Sequence, residues 1–443
     1  MANAPDGTLP TTGTWCCELE LSGDQRPSAV TPLDAQASAR VLVRLHGETL
    51  GYVTATVGPS GLDVRDVVTE ASRRFADRIA QHLHAEGLPA TSAALSGARF
   101  PARSDYCPAQ VVSDELVTVV VCTRDRSDIL VACLDRLRGL TYPHLDVLVV
   151  DNAPSDDSTQ RVVEAVAEVD PRFRYVREPR PGLSSARNCG LREARGTYLA
   201  YTDDDVAVDP DWIEGLLHGF ARRDDVGCVT GLVATAGISN AAEEYFDARA
   251  ASWSTRAEVQ VFDLRDNARP DALYPYSPGI FGTGANFAFD RRLLLDLGGF
   301  DEALGAGTAT RGGEDLDIFV RVLRAGRSLV YDPAAVVWHH HRADETALLS
   351  QMFGYGSGLS AFVSKCLLQR DTRLEVLRRI PLGVRRMAGI KADTTARLGA
   401  GASRPGGALL REFLGFAAGP VLYLRARRAV RATAVPDARV DVA

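Results

Sequence analysis

At 443 residues, 46% hydrophobic and 24% charged, the chain is long enough for two or three cores and has none of the composition of a disordered, collagenous or disulfide-built sequence. A formal charge of −7 leaves no basic surplus for a phosphate backbone, which argues against nucleic acid as a partner. The charge is uneven, however: residues 365–431 hold fifteen Lys/Arg against four Asp/Glu, so this stretch carries about +11 and the rest about −18. The eight cysteines are scattered and none forms a C-x-x-C pair, which indicates neither a zinc site nor a disulfide framework and reads as reduced thiols in the cytosol. The start lacks the pattern of a signal peptide. The longest apolar candidate, 413–424, falls short of the ~18–20 residues a spanning helix needs. The expected location is therefore cytoplasmic.

In chain order, residues 1–12 read as loose. Runs at 15–21, 39–45 and 50–57 read as strands of a small antiparallel sheet, the last two joined by a hairpin at His46-Gly47-Glu48-Thr49. Residues 63–86 have helical spacing and would cover one face of that sheet. No catalytic constellation is visible here. Residues 87–113, with Pro89, Gly97, Pro101 and Pro108, read as a linker. From 116 the pattern changes: strands at 117–122, 145–150, 173–176 and 198–202 alternate with helices at 129–140, 158–169 and 184–194, which predicts a largely parallel sheet covered on both faces. A helix at 316–325, a strand at 336–338 and apolar helical segments at 348–368 and 409–424 follow. Three parts are expected: an N-terminal α+β domain with linker at 1–113, an α/β catalytic domain at 114–345, and a basic helical region at 346–443.

Three predicted strands deliver polar residues to one sheet edge, where open α/β sheets bind ligands. Thr123 and Arg124 follow the first, Asp151 and Asn152 the second, and Asp203-Asp204-Asp205 the fourth. The acidic run is the sharpest signal. Three adjacent carboxylates repel, so a folded edge needs a cation or ample water among them. A hard ion, Mn²⁺ or Mg²⁺, sharing its shell with phosphate oxygens would suit; a solvated acidic turn is the plainer alternative.

The segments 117–124, 148–152, 182–190, 198–205 and 312–315, with the Trp338-His339 region, resemble family 2 glycosyltransferases in the same order. The resemblance covers about 114–345. It implies a GT-A, Rossmann-like fold and inverting transfer from a nucleoside-diphosphate sugar, most often a uridine one, to an acceptor hydroxyl. It also places Asp203 beside the ribose and metal-bound water, and Asp205 directly on the metal with Asp204 as bystander. Asp151 becomes an acceptor for a nucleobase N–H, with Thr123 and Arg124 lining that pocket, and Asn152 counts among the donor-binding residues. Gly182-Leu183-Ser184-Ser185-Ala186-Arg187-Asn188 opens a helix toward the phosphates, although Ser184 alone reads equally well as an N-cap. Gly284, in Gly282-Thr283-Gly284, borders the donor sugar or acceptor. Asp315 is the expected base and Glu314 its reserve; acidic residues at a helix start also occur for dipole reasons alone. His339 would complete the metal site ahead of His340 and His341.

The scarcity of Lys, two of fifty basic residues, points to a GC-rich bacterial genome. The acceptor stays open, lipid-linked or a small metabolite. The arginine-flanked tail reads equally as a helical cap or as a peripheral contact with the inner face of an anionic membrane. Two other functions compete: an inactive relative that only binds nucleotide sugar, and a metal-dependent nucleotidyltransferase.

Overall fold

The computed structural model describes residues 13–90, 100–110, 113–269, 271–277, 279–341, 344–398 and 406–433. The stretch expected to be loose, 1–12, and much of the expected linker, 91–99 and 111–112, lie outside these residues.

The βα alternation read from 117 onward is present as β5 (Val117–Thr123), α3 (Ser127–Arg138), β6 (Leu145–Asn152), α4 (Ser158–Ala167), β7 (Phe173–Glu178), α5 (Leu183–Glu193) and β8 (Tyr198–Asp203). Val119 and Val121 of β5 pack with Val147 and Val149 into one core, and Val120 packs with Leu148 and Val150 into the other. Both faces are buried, which is why β5 is an unbroken apolar run instead of an alternating one. Each such side chain contributes about 1.5–3 kcal/mol on burial.

Further strands are β9 (Val206–Val208), β10 (Val226–Thr235), β12 (Gln260–Phe262), β13 (Asn286–Asp290) and β14 (Ser328–His339). The sheet order is β12-β14-β10-β13-β8-β5-β6-β7, with β9 paired to β14. Six strands share one direction, and β9, β12 and β13 oppose them. The sheet is thus largely parallel, with β13 inserted antiparallel at its centre. Between β9 and β10 lies α6 (Trp212–Phe220), α7 (Ala241–Ser254) precedes β12, α8 (Arg291–Asp296) follows β13, and α9 (Glu314–Arg324) precedes β14.

The N-terminal sheet departs from expectation. Its strands β1 (Thr14–Glu20) and β2 (Ser38–Leu45) are parallel, and only β2 and β3 (Glu48–Gly58) form the expected antiparallel hairpin. The stretch 21–37 is long enough to cross back, which a tight turn is not. The short β4 (Gly61–Leu62) and β11 (Gly237–Ile238) complete the order β11-β1-β2-β3-β4, so the second sheet borrows a strand from beyond β10.

The helix expected at 63–86 is two, α1 (Val64–Arg74) and α2 (Ala76–Ala85), broken at Phe75. Gly51 of β3 has φ +144°, and a Cβ there would sit 2.7 Å from the Phe75 ring. The ring fills the space the missing side chain leaves, and the helix axis breaks to deliver it. Arg44 ties this sheet to the larger one through Asp209, at 2.9 Å, and also meets Glu18 of the neighbouring β1 at 3.4 Å.

After β14 come α10 (Glu345–Leu368), α11 (Arg373–Arg397) and α12 (Ala408–Thr433). Gly313, at φ +92°, lets the start of α9 press against the backbone of Gly358 on α10. Gly356, Gly415 and Gly419 likewise bring α10 and α12 into backbone contact. Lys365 reaches Asp317 at 2.8 Å and Asp301 at 2.9 Å, and Tyr423 Oη donates to Asp301. The tail therefore packs on the α/β unit as a helical cap. Among the described residues no helix is long and apolar enough to cross a membrane.

Candidate active site

The parallel strands end at one edge. Thr123 lies opposite Asp151, and Cys122 opposite Asp203, so three polar strand ends stand side by side. Because β13 runs against β8, with Asn286 opposite Thr202, the chain enters β13 at this same edge and leaves Gly284 there. The short β9 turns back along β14 with Val206 opposite His339, which carries Asp205 to the end of β14. Asp205 Oδ1 lies 3.9 Å from His339 Nε2. A recess of about 270 Å³ opens between these elements, and Thr123, Arg124, Asn152, Leu183 and the three aspartates line it.

The three carboxylates differ. Asp204 is buried and points into the protein, where Thr123 Oγ1 donates to it at 2.7 Å and Arg126 at 2.6 Å. The other end of the Arg126 guanidinium reaches Asp205 Oδ2 at 3.0 Å. One cation thus bridges two of the three acids, which offsets the repulsion that the sequence raises. Asp203 keeps 36% of its side chain accessible, within the recess, and its closest cation is Arg187 at 3.7 Å. Enclosure by the protein, reinforced by Asp205 and Asp204 and opposed by Arg187, pushes its carboxyl up to about 7.

Asp151 is fully buried. Tyr175 Oη donates to its Oδ2 at 2.9 Å, and its Oδ1 meets no donor among the described residues. Burial raises its pKa. An unsatisfied buried acceptor costs about 1–3 kcal/mol, so a ligand N–H placed there is favoured.

Other expected residues turn their polar atoms onto the protein. Asn152 donates to Arg180 O and accepts from Gly182 N, which pins the turn before α5. Asn188 brackets the Phe300 backbone, donating to its O at 2.9 Å and accepting from its N at 2.7 Å. Arg187 is buried, donates to Glu314 Oε1 at 3.0 Å and Gly284 O at 2.9 Å, and lies over the Phe287 and Phe300 rings. Ser184 is not an N-cap; its hydroxyl donates to Leu304 O, and Gly182 occupies the cap position. Arg124 keeps about half of its side chain exposed, 3.7 Å from Asp125.

At the start of α9 the two acids part company. Glu314 is buried against Arg187, its Oε2 meets no donor among the described residues, and burial followed by the neighbouring Asp315 raises its pKa. Asp315 is only partly buried and accepts from the Gly284 and Leu316 amides. Gly284 therefore connects Arg187 to Asp315. Of the remaining histidines, His341 is buried against Phe246 and Thr235. His340 is exposed at its surface, and partial enclosure by its neighbours lowers its pKa.

The reading from sequence missed Arg126 and Tyr175. Neither belongs to a motif, and only the fold shows that one bridges Asp204 and Asp205 while the other holds Asp151.

The family description "Glycosyl transferase family 2" matches residues 118–297. The succinoglycan biosynthesis protein ExoM of Rhizobium meliloti (strain 1021) is 30% identical over 234 residues, 52% of this chain and 67% of that protein. The pre-mycofactocin glycosyltransferase of Mycobacterium tuberculosis (strain H37Rv) is 27% identical over 241 residues, 54% of this chain and 46% of that protein. For three further curated relatives the matched part spans 25%, 15% and 32% of their length. A solved mannosyltransferase from Pyrobaculum calidifontis, in complex with GDP-Man and Mn²⁺, is 20% identical with a TM-score of 0.46, covering 83% of this chain and 96% of that one. At that likeness it bears on neither substrate nor metal. With its motif residues gathered at one sheet edge and two thirds of a 30% identical relative spanned, the chain belongs to glycosyl transferase family 2.

Proposed function

We propose that this chain is an inverting glycosyltransferase of GT-A fold that moves a sugar from a nucleoside-diphosphate donor to an acceptor hydroxyl, with residues 114–345 as its catalytic part. The observation that carries the reading is the recess lined by Asp203 and Asp205, with His339 3.9 Å from Asp205 and the unsatisfied Asp151 Oδ1 on the strand end opposite Thr123, which itself lines the recess. The donor set suits a hard divalent ion. Asp205 and His339 are spaced at 3.9 Å, within reach of one ion at about 2.1 Å from each ligand, and Asp203 is accessible beside them. When bound there, Mn²⁺ or Mg²⁺ supplies Lewis-acid neutralisation of charge on the departing diphosphate.

The protein's own residues do the rest. Asp151 Oδ1 accepts a base N–H, for which a uridine donor is the first choice. Thr123 and Arg126 fix the acidic loop. Arg187, Asn152 and Asn188 are positioning residues: they hold Gly284, Glu314, the Gly182 turn and the Phe300 loop in place. Asp315, partly exposed and accepting from the Gly284 and Leu316 amides, takes the proton of the acceptor hydroxyl. Glu314, locked to Arg187, is the weaker choice.

The test is turnover of a panel of nucleotide sugars with Mn²⁺. Release of nucleoside diphosphate is expected. Release of pyrophosphate would establish a nucleotidyltransferase instead, and donor binding without turnover by any acceptor an inactive relative. A second reading concerns the acceptor. Leu410, Phe413, Leu414, Val421 and Leu424 of α12 are exposed beside Arg411, Arg425 and Arg428, a face suited to an anionic membrane and hence to a lipid-linked acceptor. Co-sedimentation with anionic vesicles, lost on deleting 346–443, would support it.

A further inference from the structure

No sequence pattern marks metal ligands in the N-terminal part, yet the fold gathers four there. His46 stands in the β2–β3 turn, His82 and Glu86 lie at the end of α2, and Cys107 comes from the connector that leads to β5. Each is about 4% exposed. Their ligand atoms all lie within 4.8 Å of one another. His46 Nδ1 is 3.3 Å from His82 Nε2 and 2.5 Å from Glu86 Oε1; His82 Nε2 is 2.6 Å from the same oxygen and 3.8 Å from Cys107 Sγ.

The outward atoms decide what the inward ones are. His46 Nε2 lies 2.9 Å from Pro101 O, and a carbonyl has no proton to give, so this nitrogen carries the N–H. His82 Nδ1 faces Glu48 Oε2 at 2.6 Å and is fixed in the same way. In the neutral rings the inward nitrogens are then bare lone pairs. Glu86 adds a carboxylate oxygen, its other oxygen accepting from Ser104 N at 2.9 Å, and Cys107 adds sulfur. Imidazoles oriented by a carbonyl and a carboxylate are the usual outer shell of a metal site. Protonated rings that both donate to Glu86 Oε1 are the alternative, which would crowd two cationic nitrogens 3.3 Å apart around one carboxylate oxygen.

We propose that His46, His82, Glu86 and Cys107 form a structural zinc site. Two imidazoles, a thiolate and one carboxylate suit Zn²⁺ better than Mg²⁺ or Ca²⁺, and four protein ligands leave no open position for catalysis. Ligands at about 2.0–2.3 Å from zinc stand roughly 3.3–3.8 Å apart in a tetrahedron, which the His–His and His–Cys spacings match. The two Glu86 spacings are shorter, so its carboxylate moves outward when the ion enters. The ion would clamp hairpin, helix and connector together and so fasten the N-terminal sheet to the chain entering β5. The inference does not depend on the glycosyltransferase reading.

The test is metal analysis of the full chain from zinc-supplemented cells, purified without metal-affinity resin. About one tightly held zinc per chain is expected, and cobalt reconstitution should give a thiolate-to-cobalt charge-transfer band. Cys107→Ser should abolish that band and His82→Ala should lower zinc retention at least tenfold, while Asp205→Asn keeps both. A folded chain with under a tenth of an equivalent of zinc and no cobalt uptake would overturn the site, as would zinc retained in full by both ligand variants. If the variants fail to fold, the metal content and cobalt spectrum of the unaltered chain decide.

Discussion

The acidic edge of the large sheet and the histidine cluster of the small one are the two proposed metal sites, built in opposite ways. At the edge, Asp203 is reachable from solvent, Asp151 Oδ1 lacks a donor, and the neighbouring cations are bound elsewhere, Arg126 to Asp204 and Asp205 and Arg187 to Glu314. In the cluster every ligand is buried and each outward polar atom has a fixed partner. An edge left unsatisfied can be completed and vacated by a substrate; a closed cluster can only hold the fold. The contrast teaches that accessibility and unsatisfied atoms, more than ligand type, separate a working site from a staple.

The largest effect should follow from emptying the open site. Asp205→Asn is expected to lower kcat/KM by at least about 10³-fold, in line with the several kcal/mol a catalytic metal supplies. Dialysis against EDTA should do the same to the unaltered chain and be reversed by Mn²⁺. Activity that survives both would erase the distinction between the two regions. Next, Asp315→Asn should reduce kcat by about 10²–10⁴-fold with little change in donor KM, the usual contribution of a general base. If Glu314→Gln gives the larger loss in a stable protein, the two acids exchange roles.

A smaller, purely structural effect is expected where the helical cap meets α9. Gly358→Ala should cost about 1–3 kcal/mol in urea denaturation, because the added methyl meets the Gly312–Gly313 backbone. The smallest concerns Glu18, at the junction of the two sheets, where burial and then Asp209 push the carboxyl up to about 7. Its folded pKa lies above the unfolded value of about 4.3, so the folded chain binds this proton more tightly. That contribution is present in full below about pH 4 and is lost as pH rises through about 7. Glu18→Gln should therefore flatten the fall of Tm between pH 5 and 8, and an unchanged slope would remove Glu18 as its source.

Much of the large sheet was legible because βα units are local: an apolar run, a turn and a helical stripe specify each other within about thirty residues. The strand-end residues Thr123, Asp151 and Asp203 were legible for the same reason, since the end of an apolar run marks the edge. The parallel pairing of β1 with β2 was not, because its partner choice depends on a long crossover, and the break at Phe75 depends on a vacancy at Gly51 in another strand.

The sequence by itself determined that Thr123, Asp151 and Asp203 stand at the ends of neighbouring strands, because hydrophobic period and residue type are properties of short windows. Only the tertiary structure decided how each polar group is used. Arg187 and Asn188 look from the sequence like ligand-binding residues and prove to be spent on Glu314 and Phe300, while His46, His82, Glu86 and Cys107 look unrelated and meet within a few ångströms. Partners of a polar side chain are set by distances across the fold, and no local pattern records them.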